Sequence, residues 1–90
     1  MEGEIRTSAE AALAAVAQST KGQLALTLRG AKAFRAFDAW MVVVSVDARG
    51  PEENRRLWGA FPCTDENTAR AAVLAILDST NRILEKYLMD

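Results

Sequence analysis

The stretch Trp40-Met41-Val42-Val43-Val44-Ser45-Val46 is apolar at almost every place. At the period of two that a strand imposes, Trp40, Val42, Val44 and Val46 share one face while Met41 and Val43 lie on the other. A strand with apolar residues on both faces is central to its sheet or covered from both sides. The neighbouring segments then have to supply the rest of that sheet and its cover.

Just upstream, Gln23-Leu24-Ala25-Leu26-Thr27-Leu28-Arg29 has leucine at every second place. It predicts a half-buried strand with Leu24, Leu26 and Leu28 on the core face. Gly30 interrupts it and marks a bulge that shifts the register. Downstream, Arg49-Gly50-Pro51-Glu52-Glu53-Asn54 is a polar turn. It leads to a third strand over about 56–61, which Pro62 closes.

A helix is expected at each end of the chain. Thr7-Ser8-Ala9-Glu10 fits a capping box with Thr7 as N-cap. Ala9, Ala12, Leu13, Val16 and Ala17 follow at helical spacing, and Gly22 offers a stop, giving a helix over roughly 8–20. At the other end, Asp65 and Glu66 complement the dipole at a helix start. Ala69, Ala72, Val73, Ile76, Leu77, Thr80, Ile83, Leu84, Tyr87 and Leu88 form its apolar stripe. Glu66 with Arg70, and Asp78 with Arg82, stand at favourable i,i+4 offsets. The fold class is therefore α+β. Residues 1–90 form one two-layer αβββα domain, a three-stranded antiparallel sheet with both helices on one face. Met41, Val43 and Trp58 then point away from the helices, and a second copy of the chain is the simplest cover for them.

Composition narrows the function. The chain has 90 residues, half of them hydrophobic, and a net charge of −1. That balance gives no footprint for nucleic acid, and Arg29, Lys32 and Arg35 read as a solvated edge. There is no histidine, which removes the commonest general base and metal ligand together. A single cysteine forms no internal disulfide and no structural zinc site. The acidic start lacks the apolar core of a secretory signal, and no run approaches the ~20 residues that span a bilayer. The expectation is a cytoplasmic protein with no membrane segment.

Cys63 lies near Asp65 and a helix start, a place where a thiol could serve as a nucleophile. Without a histidine to activate it, the residue reads as a small side chain at a strand–helix seam. Asp65 and Glu66 are accounted for by the helix they open. No phosphate loop, Cys-x-x-Cys or nucleophile elbow occurs. The chain reads as a non-enzyme that needs no metal or cofactor. Two helix starts, near Thr7 and Thr64, could hold a small carboxylate through free backbone N–H groups, or be two ordinary caps.

The run Trp58-Gly59, Glu66-Asn67, Ala71-Ala72, Asp78-Ser79, with Asn81-Arg82 after it, resembles the end of the C-terminal regulatory, or dimerisation, domain of the isopropylmalate/citramalate synthase family. Ala12-Leu13 with Ala15-Val16, and Asp38-Ala39 before the valine strand, resemble its upstream helix and turn. The resemblance covers most of the chain from about Thr7. It implies a non-catalytic unit that pairs subunits and binds leucine or isoleucine for feedback inhibition, while a separate metal-dependent barrel does the chemistry. The barrel and the first strand pair of that regulatory domain have no counterpart here. The family's Gly-Pro before the first helix is Thr7-Ser8, and Arg35, Ala36 and Phe37 replace turn glycines.

On that resemblance, a branched-chain amino-acid effector would be lined by Thr7 and Ser8, by Gly30, Ala31 and Ala33, and by Pro62, Cys63, Thr64, Asp65 and Asn67. Met41, Val43 and Trp58 would form a homodimer interface. A ligand-free homodimerisation or adaptor module for a separate synthase subunit is the alternative. A double-stranded RNA-binding domain shares the element order, but Asp65 and Glu66 stand where it needs basic residues.

Overall fold

The computed structural model of the chain describes residues 2–51, 54–63 and 67–88, with side chains for all of these except 2, 3, 82 and 84–88. The order is α1 (Glu2–Ser19), β1 (Ala25–Ala36), β2 (Ala39–Arg49), β3 (Asn54–Cys63) and α2 (Thr68–Leu88). The strands form one antiparallel sheet in the order β1-β2-β3. The valine strand is the middle one, as its two apolar faces require. Val42, Val44, Val46 and Ala48 are buried on the face that the helices cover.

Helix α1 begins about two turns earlier than the capping box suggests. Ile5 is 0% exposed and extends the stripe of Ala9, Leu13 and Val16 by one turn. Burying that side chain outweighs the gain from a cap at Thr7, which lies inside the helix. The helix ends at Ser19, and Lys21 and Gly22 both take positive φ to turn the chain. Thr20, 2% exposed, ties this corner together. Its hydroxyl donates to the Ala17 carbonyl at 2.7 Å and accepts the Leu24 N–H at 3.2 Å.

The bulge falls where Gly30 predicts it, with Leu28 opposite Val46 and Gly30 opposite Ser45. The extra residue reverses the parity of β1. Before it, Leu28 faces the core; beyond it, Ala31 and Ala33 do. Phe34 turns to the open face, opposite Met41. Strand β3 runs one residue past Pro62 because β3 is an edge, where a missing N–H breaks no ladder bond.

Helix α2 starts at Thr68, with Asn67 as N-cap. The Asn67 Oδ1 accepts the Arg70 N–H at 3.0 Å, and its carbonyl accepts the Ala71 N–H. Asp65 and Glu66, read as opening this helix, lie outside the described residues. The buried stripe is Thr68, Ala71, Ala72, Ala75, Ile76, Ser79, Thr80 and Ile83, whereas Leu77 is 44% exposed. It sits about one residue round from the stripe that the larger side chains suggest. The cause is Gly59. A Cβ there would collide with the Ala75 carbonyl oxygen and lie 2.7 Å from the Ser79 Cβ. The helix comes so close to β3 that only its small side chains fit between them.

Candidate functional site

The effector pocket expected from the resemblance is not assembled in one place among the described residues. Both helices begin at the end of the sheet that carries the β1–β2 turn, since α1 leads into the far end of β1 and α2 follows the near end of β3. Thr7 is exposed and Ser8 half-buried within α1, so neither offers the free N–H groups of a helix start. Cys63 is a buried thiol in the core, opposite Trp40, and Pro62 is exposed opposite Met41. Asn67 is engaged as a cap. Gly30, Ala31 and Ala33 belong to β1, at the other edge of the sheet from Pro62 and Cys63. Ala33 packs half-buried on the core. Thr64 and Asp65 lie outside the described residues. No group of acidic or sulfur side chains able to hold a metal ion occurs among the described residues.

What the strands do build is the open face. Cross-strand pairing sets Phe34, Met41 and Pro62 in one row, Lys32, Val43 and Ala60 in the next, and Gly30, Ser45 and Trp58 in a third. Met41 and Val43 are half-buried, while Phe34 is 43% and Trp58 66% exposed. A shallow groove of about 440 Å³ runs here, lined by Gly30, Lys32, Phe34, Val43, Ser45 and Trp58 among others. The residues singled out for dimerisation, Met41, Val43 and Trp58, do share one surface. Phe34 joins them, a residue missed because its side depends on the bulge.

Charge gathers at the far end of that face. Asp47 accepts from the Arg56 Nε at 3.2 Å through Oδ1 and pairs with the Arg29 Nε at 3.5 Å through Oδ2. Arg49, Asn54 and Arg55 border the adjoining cleft of about 290 Å³. Arg29, Lys32, Arg35, Arg49, Arg55 and Arg56 all stand on the strands, and Asp47 is the only acidic residue there. The net charge of −1 hides this separation.

The β1–β2 turn is a second feature that the sequence did not announce. Phe37 and Asp38 have φ of 53° and 62°, the pattern of a two-residue type I′ turn. Phe37 projects from its tip with 101% relative exposure. Asn-Gly is the usual signal for such a turn, and Phe-Asp gives none. No helix among the described residues is long and apolar enough to cross a membrane. No family model, curated protein or solved structure matches the chain.

Proposed function

We propose that the chain is a non-catalytic association module of regulatory type that pairs with a second copy of itself, as its resemblance to the synthase dimerisation domain implies. The observation that carries this reading is the apolar strip of Phe34, Met41, Val43 and Trp58 on the open face of the sheet. Large apolar side chains fixed on regular strands mark a docking surface rather than a frayed loop. Three strands of this length present a face of about 14 Å by 35 Å. That flat area, about 490 Å² per copy, puts such a pair at the small end of specific interfaces.

Light scattering across a concentration series tests the reading. A mass of at least twice 9.8 kDa is expected, with Val43→Asp and Trp58→Lys lowering it twofold by removing the open-face contact while leaving the fold intact. A monomer at every concentration overturns self-pairing. The adaptor alternative then requires co-purification with a synthase-type subunit. The effector is tested separately by melting the protein with leucine, isoleucine or valine. A ligand at a hundred times its Kd adds about 2.7 kcal/mol. No shift with any of them reduces the module to association alone.

A further inference from the structure

The two edges of the sheet are treated differently. In a two-residue hairpin the residues flanking the turn form a hydrogen-bonded pair, and bonded pairs then alternate back along the strands. Ala36 with Ala39, Phe34 with Met41, Lys32 with Val43 and Gly30 with Ser45 therefore exchange bonds inside the sheet. Ala31, Ala33 and Arg35 turn their N–H and C=O groups outward. The same alternation continued into β3 sends the N–H of Ala60 outward and puts Pro62 at an outward position.

On β3 that outer edge is closed at its end nearest the β1–β2 turn, over Ala60 and Pro62. The Ala60 N–H is taken by the Asp78 carboxylate at 3.2 Å, and Pro62 has no N–H to offer. On β1 no turn, cap or side chain among the described residues bonds to Ala31, Ala33 or Arg35 from outside. An unguarded edge is a template for another strand.

We infer that β1 joins the β1 of a second copy, antiparallel about a two-fold axis through Ala33, to make a continuous six-stranded sheet. This deepens the self-association reading and rests on it. The sequence of the edge is self-complementary in that register. Each Ala31 pairs with the partner's Arg35, and the two Ala33 residues pair with each other, so every outward group of this run is used. Each Lys32 lies across from the partner's Phe34 in a non-bonded pair, where side chains approach most closely. The Lys32 stem covers part of a ring that is otherwise 43% exposed. An axis through Lys32 or Arg35 would set like charges directly opposite each other, which is destabilising. An axis through Phe34 would leave Ala31 facing the turn. The bulge at Arg29 ends the run on the other side.

Amide hydrogen exchange on the unmodified chain, read residue by residue by NMR at low and high concentration, tests this. The amides of Ala31, Ala33 and Arg35 are expected to exchange at least tenfold more slowly when the protein associates, while those of Lys32 and Phe34 are protected throughout. Ala33→Pro removes an outward N–H and no ladder bond. It should lower the assembly mass twofold with unchanged circular dichroism. If the chain associates while these three amides still exchange at their dilute rate, the edge contact is overturned and self-pairing through the open face stands. A monomer at all concentrations overturns both.

Discussion

The Asp78 carboxylate on α2 accepts the backbone N–H of Ala60 on β3 at 3.2 Å. In sequence Asp78 looks like the i,i+4 partner of Arg82 on a wet helix face. In the fold it reaches the edge of the sheet and satisfies a donor that would otherwise be open to strand addition. Asp78→Ala should cost about 0.5–1.5 kcal/mol and speed exchange of the Ala60 amide, whereas Asp78→Asn, which keeps an acceptor, should cost less. Urea melts and exchange rates check both.

Gly59 is where α2 touches β3. Gly59→Ala drives a methyl group into the Ala75 carbonyl and the Ser79 side chain. The neighbour on one side is backbone, so the helix itself has to shift. A loss of at least about 1–3 kcal/mol is expected in denaturant titration. The same change at Gly30, which has open space around its Cβ direction, should be far milder.

Ile5 and Thr7 separate two accounts of how α1 begins. If Thr7 were the N-cap, Thr7→Ala would cost about 1 kcal/mol. With Thr7 exposed inside the helix, the effect should stay within about 0.5 kcal/mol. Ile5→Ala opens a core cavity and should cost about 2–5 kcal/mol. Paired thermal melts decide.

The hairpin tip holds two non-glycine residues in the left-handed region, each at a cost of roughly 1–2 kcal/mol. Replacing both, Phe37→Asn with Asp38→Gly, supplies the pair that such turns favour. A gain of about 1 kcal/mol is expected, read as a rise in Tm of ~4–8 °C for a domain of this size. Lower stability would mean that the exposed Phe37 ring makes contacts in solution that its position at the tip does not suggest.

Much of the architecture was readable because alternation and helical spacing follow directly from burial. Leu24 and Leu28, then Val42, Val44 and Val46, mark the core face without any knowledge of tertiary structure. What escaped depended on contacts between distant residues. The capping signal at Thr7 was sound local chemistry, outvoted by Ile5 once a sheet was there to cover it. The stripe of α2 was placed by its largest side chains, but Gly59 invites the small ones inward. Phe34 changed sides at a bulge that the sequence did show, although which face followed from it requires the pairing register. The helix starts could be foreseen as termini, but not that Thr7 and Ser8 would stand away from one.

The open face of the sheet carries an excess of positive charge, Arg29, Lys32, Arg49 and Arg56 against Asp47. Basic side chains outnumber acidic ones on the strands, so the balance toward −1 is carried by helices, turns and termini. Two copies approaching sheet to sheet would bring like charge together, and that field would slow their encounter before any apolar contact forms. Added salt shortens the range of that repulsion to about 8 Å at physiological strength. Pairing through the open face should therefore quicken and tighten as salt rises, the reverse of an association drawn together by opposite charges.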